Sequence, residues 1–85
     1  MSRLQEYRKN FGISQFELAK KCGCSIQSVQ KYEQGVLKIE SCHLDILTSM
    51  SDILGIKLSD LLENRDLARK IEEQYGAQLV QHAER

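Results

Sequence analysis

No proline occurs among the 85 residues, and glycine occurs only five times. No helix interior is therefore broken by a pyrrolidine ring, and sharp backbone reversals have few cheap sites. No apolar run approaches the roughly 20 residues of a membrane-spanning helix. The opening residues Met1-Ser2-Arg3-Leu4-Gln5-Glu6 lack the apolar stretch of a secretory signal, so the expected compartment is the cytoplasm. Three cysteines, an odd number, argue against a disulfide framework and suit a reducing environment. The strict apolar–polar alternation of a half-buried strand is nearly absent, and no internal repeat or low-complexity tract is visible. Also missing are a serine–histidine–acid set, a glycine-rich phosphate loop and a metalloprotease helix. The chain is expected not to be an enzyme and to carry no metal or cofactor.

A chain of this length builds one domain with a modest core and hardly houses a large substrate pocket. Its 28% charged and 41% hydrophobic residues suit a soluble helical domain. The formal net charge is zero, which on its face counts against a partner as anionic as duplex DNA. The charge is unevenly placed, however. Residues 1–40 hold seven Lys/Arg and four Asp/Glu, whereas residues 41–85 hold five and eight. A basic first half can present one positive face although the whole chain is neutral.

Five short helices are expected in residues 1–63. Leu4, Tyr7 and Phe11 share one helical face in a segment that runs from Arg3 to Asn10 and is capped by Gly12. Ser14-Gln15-Phe16-Glu17 has the form of a capping box, which opens a helix from Gln15 to about Lys21 with Ile13 stapled onto Leu18. Ser25 is the next N-cap, for a helix over Ile26–Gln34 that Gly35 stops. Leu44, Leu47, Met50 and Leu54 predict a fourth helix from near Ser41 to Leu54, which places His43 in its first turn. A short fifth helix follows with Ser59 as N-cap and Leu61-Leu62 pointing inward.

The link between the second and third helices is so short that the two must cross sharply. Such a helix–turn–helix needs a small residue at the crossing, and Ala19 stands there. It needs a residue tolerant of positive φ in the turn, and Gly23 stands there. Leu18, Cys22, Cys24, Val29 and Tyr32 are all able to be buried between the helices, while Gln27, Ser28, Gln30 and Lys31 leave a polar outer face. That face has the groups that read base edges: a glutamine pairs bidentately with adenine, and a lysine donates to guanine N7 or O6.

With these residues the chain resembles the phage repressor and Cro family, the xenobiotic-response-element type. The resemblance covers about residues 3–62. It rests on Ser14-Gln15-Phe16-Glu17-Leu18-Ala19, on Val29-Gln30-Lys31-Tyr32-Glu33-Gln34-Gly35, and on Leu54-Gly55-Ile56 with Leu61-Leu62. It implies an all-α, five-helix lambda-repressor-like DNA-binding domain, here with an additional C-terminal helix, and a third helix that enters the major groove. It also implies roles. Ile26, Gln27, Gln30 and Lys31 match or adjoin positions that face bases. Gln15, Ser25, Gln34 and Lys38 fall where the family contacts phosphates. Arg8 and Glu33 match a charged pair that joins the first helix to the end of the third, although by themselves they read equally as two solvated charges. Ile26 departs from the usual polar residue at its position; it touches a thymine methyl or contributes nothing to readout.

Residues 64–85 read as a helical extension. Leu67, Ile71, Tyr75 and Leu79 recur every four residues, flanked by Ala68 and Val80. Gly76 interrupts the stripe, so either one helix passes through it or a helix ends at Tyr75. The stripe folds back as ordinary core, pairs with its twin in a homodimer, or docks on a different protein; the dimer is the favoured reading, because five helices already close the family core. Cys22, Cys24, Cys42 and His43 raise a zinc site, but the cysteines already have a role as small buried groups, and a redox role ranks with zinc below that one. His82 carries no signal. The expected function is therefore a sequence-specific transcriptional regulator, a repressor that binds a palindromic operator as a dimer. The alternative is an antitoxin-type protein that neutralises a partner toxin and autoregulates its operon.

Overall fold

Each of the first three helices is opened by a serine hydroxyl. Ser2, Ser14 and Ser25 lie in extended backbone and accept from Gln5 N (3.1 Å), Glu17 N (3.0 Å) and Ser28 N (3.1 Å). The helices they open are α1 (Arg3–Phe11), α2 (Gln15–Cys22) and α3 (Ile26–Gln34). At α2 the Glu17 carboxylate also accepts from Ser14 N, at 3.4 Å, so the box is reciprocal. Replacing Ser14 by alanine is expected to cost about 1 kcal/mol, read as a lower urea midpoint with an unchanged slope.

The computed structural model describes the backbone of residues 1–83 and the side chains of residues 1–74. After α3 comes a 3₁₀ turn (Ile39–Ser41), then α4 (Leu44–Leu54), α5 (Leu58–Leu61) and α6 (Arg65–Ala83). Among the described residues there is no strand, and no helix is long and apolar enough to cross a membrane. One core holds Leu4, Leu18, Val29, Met50 and Leu61, all 1% exposed or less, with Ile13, Ala19, Ile39, Leu47 and Leu54 around them. Ile13 and Leu18 are both in this cluster, as a staple across the α2 cap requires.

Three expectations are corrected. Phe11 is 55% exposed instead of sharing the inward face with Leu4, because the buried position in the last turn of α1 is taken by Arg8. α4 begins at Leu44, not near Ser41, and His43 is its N-cap position. The Ser41 hydroxyl is instead bonded backwards to the Lys38 carbonyl at 2.6 Å, and Cys42 is extended. α5 is preceded by Lys57, whose N–H is accepted by the Asp60 carboxylate at 3.1 Å. Ser59 lies inside that helix, buried, and donates to Glu72 Oε2 at 3.1 Å.

α6 is fastened to α5 at its base. Asn64 caps it by accepting from Leu67 N at 3.1 Å. Arg65 Nη1 donates to the carbonyls of Ser59 (3.2 Å) and Leu62 (2.9 Å), so a cation sits at the C-terminal end of α5. Ala68 is buried and Ile71 half-buried, whereas Leu67 is exposed. Lys57 Nζ meets Glu72 Oε1 at 3.1 Å; the hydrogen bond from Lys57, with that from Ser59, holds the Glu72 carboxyl below its ordinary value. The backbone of α6 continues through Gly76. The Tyr75, Leu79 and Val80 part of the apolar stripe lies outside the described side chains.

Candidate nucleic-acid interface

α2 ends at Gly23, which sits in left-handed backbone at φ 75°. A side chain there would meet no neighbour but would be strained by the backbone itself. This turn lets Cys24 N donate to the Ala19 carbonyl at 3.0 Å, and Ser25 then starts α3. Three residues thus reverse the chain, and Ala19, 3% exposed, has no bulk to hold the two helices apart.

α3 is two-faced. Val29 and Glu33 are buried, and Ile26 and Tyr32 are half-buried against the core. On the other side Gln27, Lys31 and Gln34 are exposed at spacings of four and three, with Gln30 half-buried between them. Lys38 and Ser25 are exposed at the two ends of this surface, and Lys20 and Lys21 on α2 are exposed as well. Glu33, the carboxylate of α3, does not oppose these cations, because it is turned inward and neutralised.

Its partner is Arg8. Nε reaches Oε2 at 2.6 Å and Nη2 reaches Oε1 at 3.1 Å, a two-point pairing between α1 and α3. Arg8 Nη1 also donates to the Ile13 carbonyl at 2.9 Å. Both side chains are nearly inaccessible, at 10% and 2%. Gln15 joins the group: its Nε2 donates to Glu33 Oε1 at 2.9 Å, and its Oε1 accepts from Gln30 Nε2 at 3.4 Å. Of the residues expected to meet DNA, the fold brings Gln15 and Gln30 into contact. It sets Gln27, Lys31 and Gln34 side by side in solvent, and packs Ile26 partly away.

An exposed polar rod held on a glycine turn is the geometry that enters a major groove. A family model described as helix-turn-helix matches residues 4–61. The chain belongs to that family, in its phage repressor and Cro type. No curated protein and no solved structure matches it. As a member of the helix-turn-helix family the protein is a DNA-binding transcription regulator. The match ends at Leu61, so it spans α1 to α5 and stops short of α6.

The cysteines lie on the inner side of the motif. Cys22 and Cys42 are buried and Cys24 is half-buried. Burial, with the neighbouring Cys24 and Cys42 adding to it, pushes the Cys22 thiol up to about 11. Burial likewise raises Cys24 and Cys42, and Tyr32 beside them. The thiolate is the form that attacks disulfides and binds metals, and burial disfavours that form at all three positions. Among the described residues no three His, Cys, Asp or Glu side chains are grouped to hold a metal ion.

The bonds from Gln15 to Glu33 and Gln30 are the feature that sequence reasoning missed. They join residues 18 and 15 positions apart, and no local spacing signals them. Only the short crossing of α2 over α3, legible from Ala19 and Gly23, points to the neighbourhood.

Proposed function

We propose that the protein represses transcription by occupying a roughly palindromic operator as a dimer, with one α3 in each of two successive major grooves. The observation that carries this reading is the outer face of α3: Gln27, Lys31 and Gln34 are free in solvent on a helix whose inner face, Val29 and Glu33, is locked into the core. In this arrangement Gln27, Gln30 and Lys31 face base edges, with the uncovered part of Ile26 beside them. Gln15, Ser25, Gln34 and Lys38 lie along the phosphates. Repression follows from occupancy alone, by exclusion of other proteins from the site. The dimer is supported by α6, which extends past the matched domain and leaves Leu67 uncovered.

Selection from random duplex DNA is the direct test. The expected product is a two-fold symmetric sequence whose half-sites lie about 34 Å apart, one helical turn. Affinity for it should fall steeply with salt, with a log–log slope of about −0.9 for each phosphate neutralised. An unselective pool together with salt-independent binding would sink the proposal. Enriched sequences without symmetry would remove the dimer and leave the regulator.

A further inference from the structure

We propose that Gln15 and Glu33 fix which way round the Gln30 side-chain amide faces, and thereby which bases Gln30 accepts. The inference rests on the operator-binding reading above.

The argument is one of hydrogen-bond polarity. Arg8 has donors only, and Glu33, gripped by Arg8 Nε and Nη2, offers acceptors only. The Gln15 amide beside Glu33 therefore has one permitted orientation. Its NH₂ faces the carboxylate at 2.9 Å, since the reverse would set a carbonyl oxygen against a carboxylate oxygen. Gln15 Oε1 then points to Gln30 and accepts from its Nε2 at 3.4 Å. Orientation is handed from a buried ion pair to the surface of the reading helix in two steps. Buried and half-buried partners keep water from scrambling it.

What remains on Gln30 for a ligand is Oε1 and one N–H. That pair matches the adenine edge, which presents the N6 donor and the N7 acceptor. Guanine presents two acceptors, O6 and N7, and a Gln30 already committed to Gln15 meets one of them with its carbonyl oxygen. An untethered glutamine would swing its NH₂ outward and tolerate guanine. Ile26, half-buried against the core, has no polar group with which to make the choice. Gln15 and Glu33 are thus positioning residues for Gln30, and Gln15 does more than touch a phosphate.

The experiment is parallel selection from random duplex DNA with the wild type, Gln30→Ala, Gln15→Met and Gln15→Lys. The position read by Gln30 is the one whose preference Gln30→Ala loses. There the wild type is expected to favour adenine over guanine by roughly tenfold or more. Gln15→Met removes both donor and acceptor, and the ratio is expected to fall to within about threefold while other positions keep theirs. Gln15→Lys still donates to Glu33 and adds a charge for the backbone, yet accepts nothing from Gln30. It is expected to relax the same position, and the readout is the ratio of bases selected there relative to the other positions, whatever the change in overall affinity. Using both variants keeps the test decisive where one of them loses its fold. Uniform weakening with unchanged base preference would overturn the relay, as would a wild-type preference for guanine or a Gln30→Ala variant with unaltered selection. A wild type that enriches no sequence overturns the operator-binding reading itself, so the two failures are told apart.

Discussion

Arg8→Ala is expected to lower stability by about 3–5 kcal/mol, the usual cost of leaving one member of a buried ion pair without its partner. The Glu33 side chain is 2% exposed, and after the substitution it keeps only the hydrogen bond from Gln15. The donor to the Ile13 carbonyl is lost as well. A chain of this size has a total stability of roughly 4–13 kcal/mol, so the loss removes a large share of it and lowers Tm by more than about 10 °C. DNA affinity falls with it, because the pair ties α3 to α1. The origin of the effect is checked by Arg8→Met combined with Glu33→Leu. Removing both charges leaves no charge buried and unpaired, and part of the lost stability is expected to return, short of the wild type because the Ile13 carbonyl and the Gln15 amide each still lose a partner. A wild-type urea midpoint for Arg8→Ala would show that the pair contributes nothing.

The second large effect is on binding alone. Gln27→Ala and Lys31→Ala are each expected to weaken binding to the selected operator by about 1–3 kcal/mol. The two together should cost on the order of a hundredfold in affinity or more, with some departure from additivity because the residues are one turn apart. Both side chains are exposed, so thermal stability should change by no more than about 0.5 kcal/mol. Lys38→Ala serves as the contrast: loss of the phosphate contact proposed for it should weaken binding to all sequences alike and lower the salt slope by about one. Titration of operator and scrambled duplex at several salt concentrations separates the two patterns. Full operator affinity in the Gln27 and Lys31 variants would mean that the outer face of α3 does not read the groove.

The helices of the motif are legible in the sequence because their signals are short-range. Ser14 and Glu17 cap α2 across three residues, and Gly23 and Gly35 end α2 and α3. The outer face of α3 is legible in part: of Gln27, Ser28, Gln30 and Lys31, expected there from the helical repeat, Gln27 and Lys31 are exposed, whereas Ser28 and Gln30 are half-buried. The boundary of α4 was not legible, because the Ser41 hydroxyl has two local uses. It can cap a helix ahead of it or close a turn behind it, and here it bonds Lys38 O. The exposure of Phe11 is not legible, because periodicity gives a face but not what occupies it, and the inward place in the last turn of α1 is held by Arg8.

Local chain chemistry thus accounts for the helices, their caps, the turn at Gly23 and the polar outer stripe of α3, since each rests on groups a few residues apart that meet in any partly folded chain. Packing alone accounts for the rest: the depth at which Arg8 and Glu33 are buried, the half-covered Ile26, and the chain of bonds from Glu33 through Gln15 to Gln30. Those contacts span 15 to 25 residues. They exist only after α1, α2 and α3 have closed on one core, because a hydrogen bond between side chains becomes selective only where water cannot compete for it.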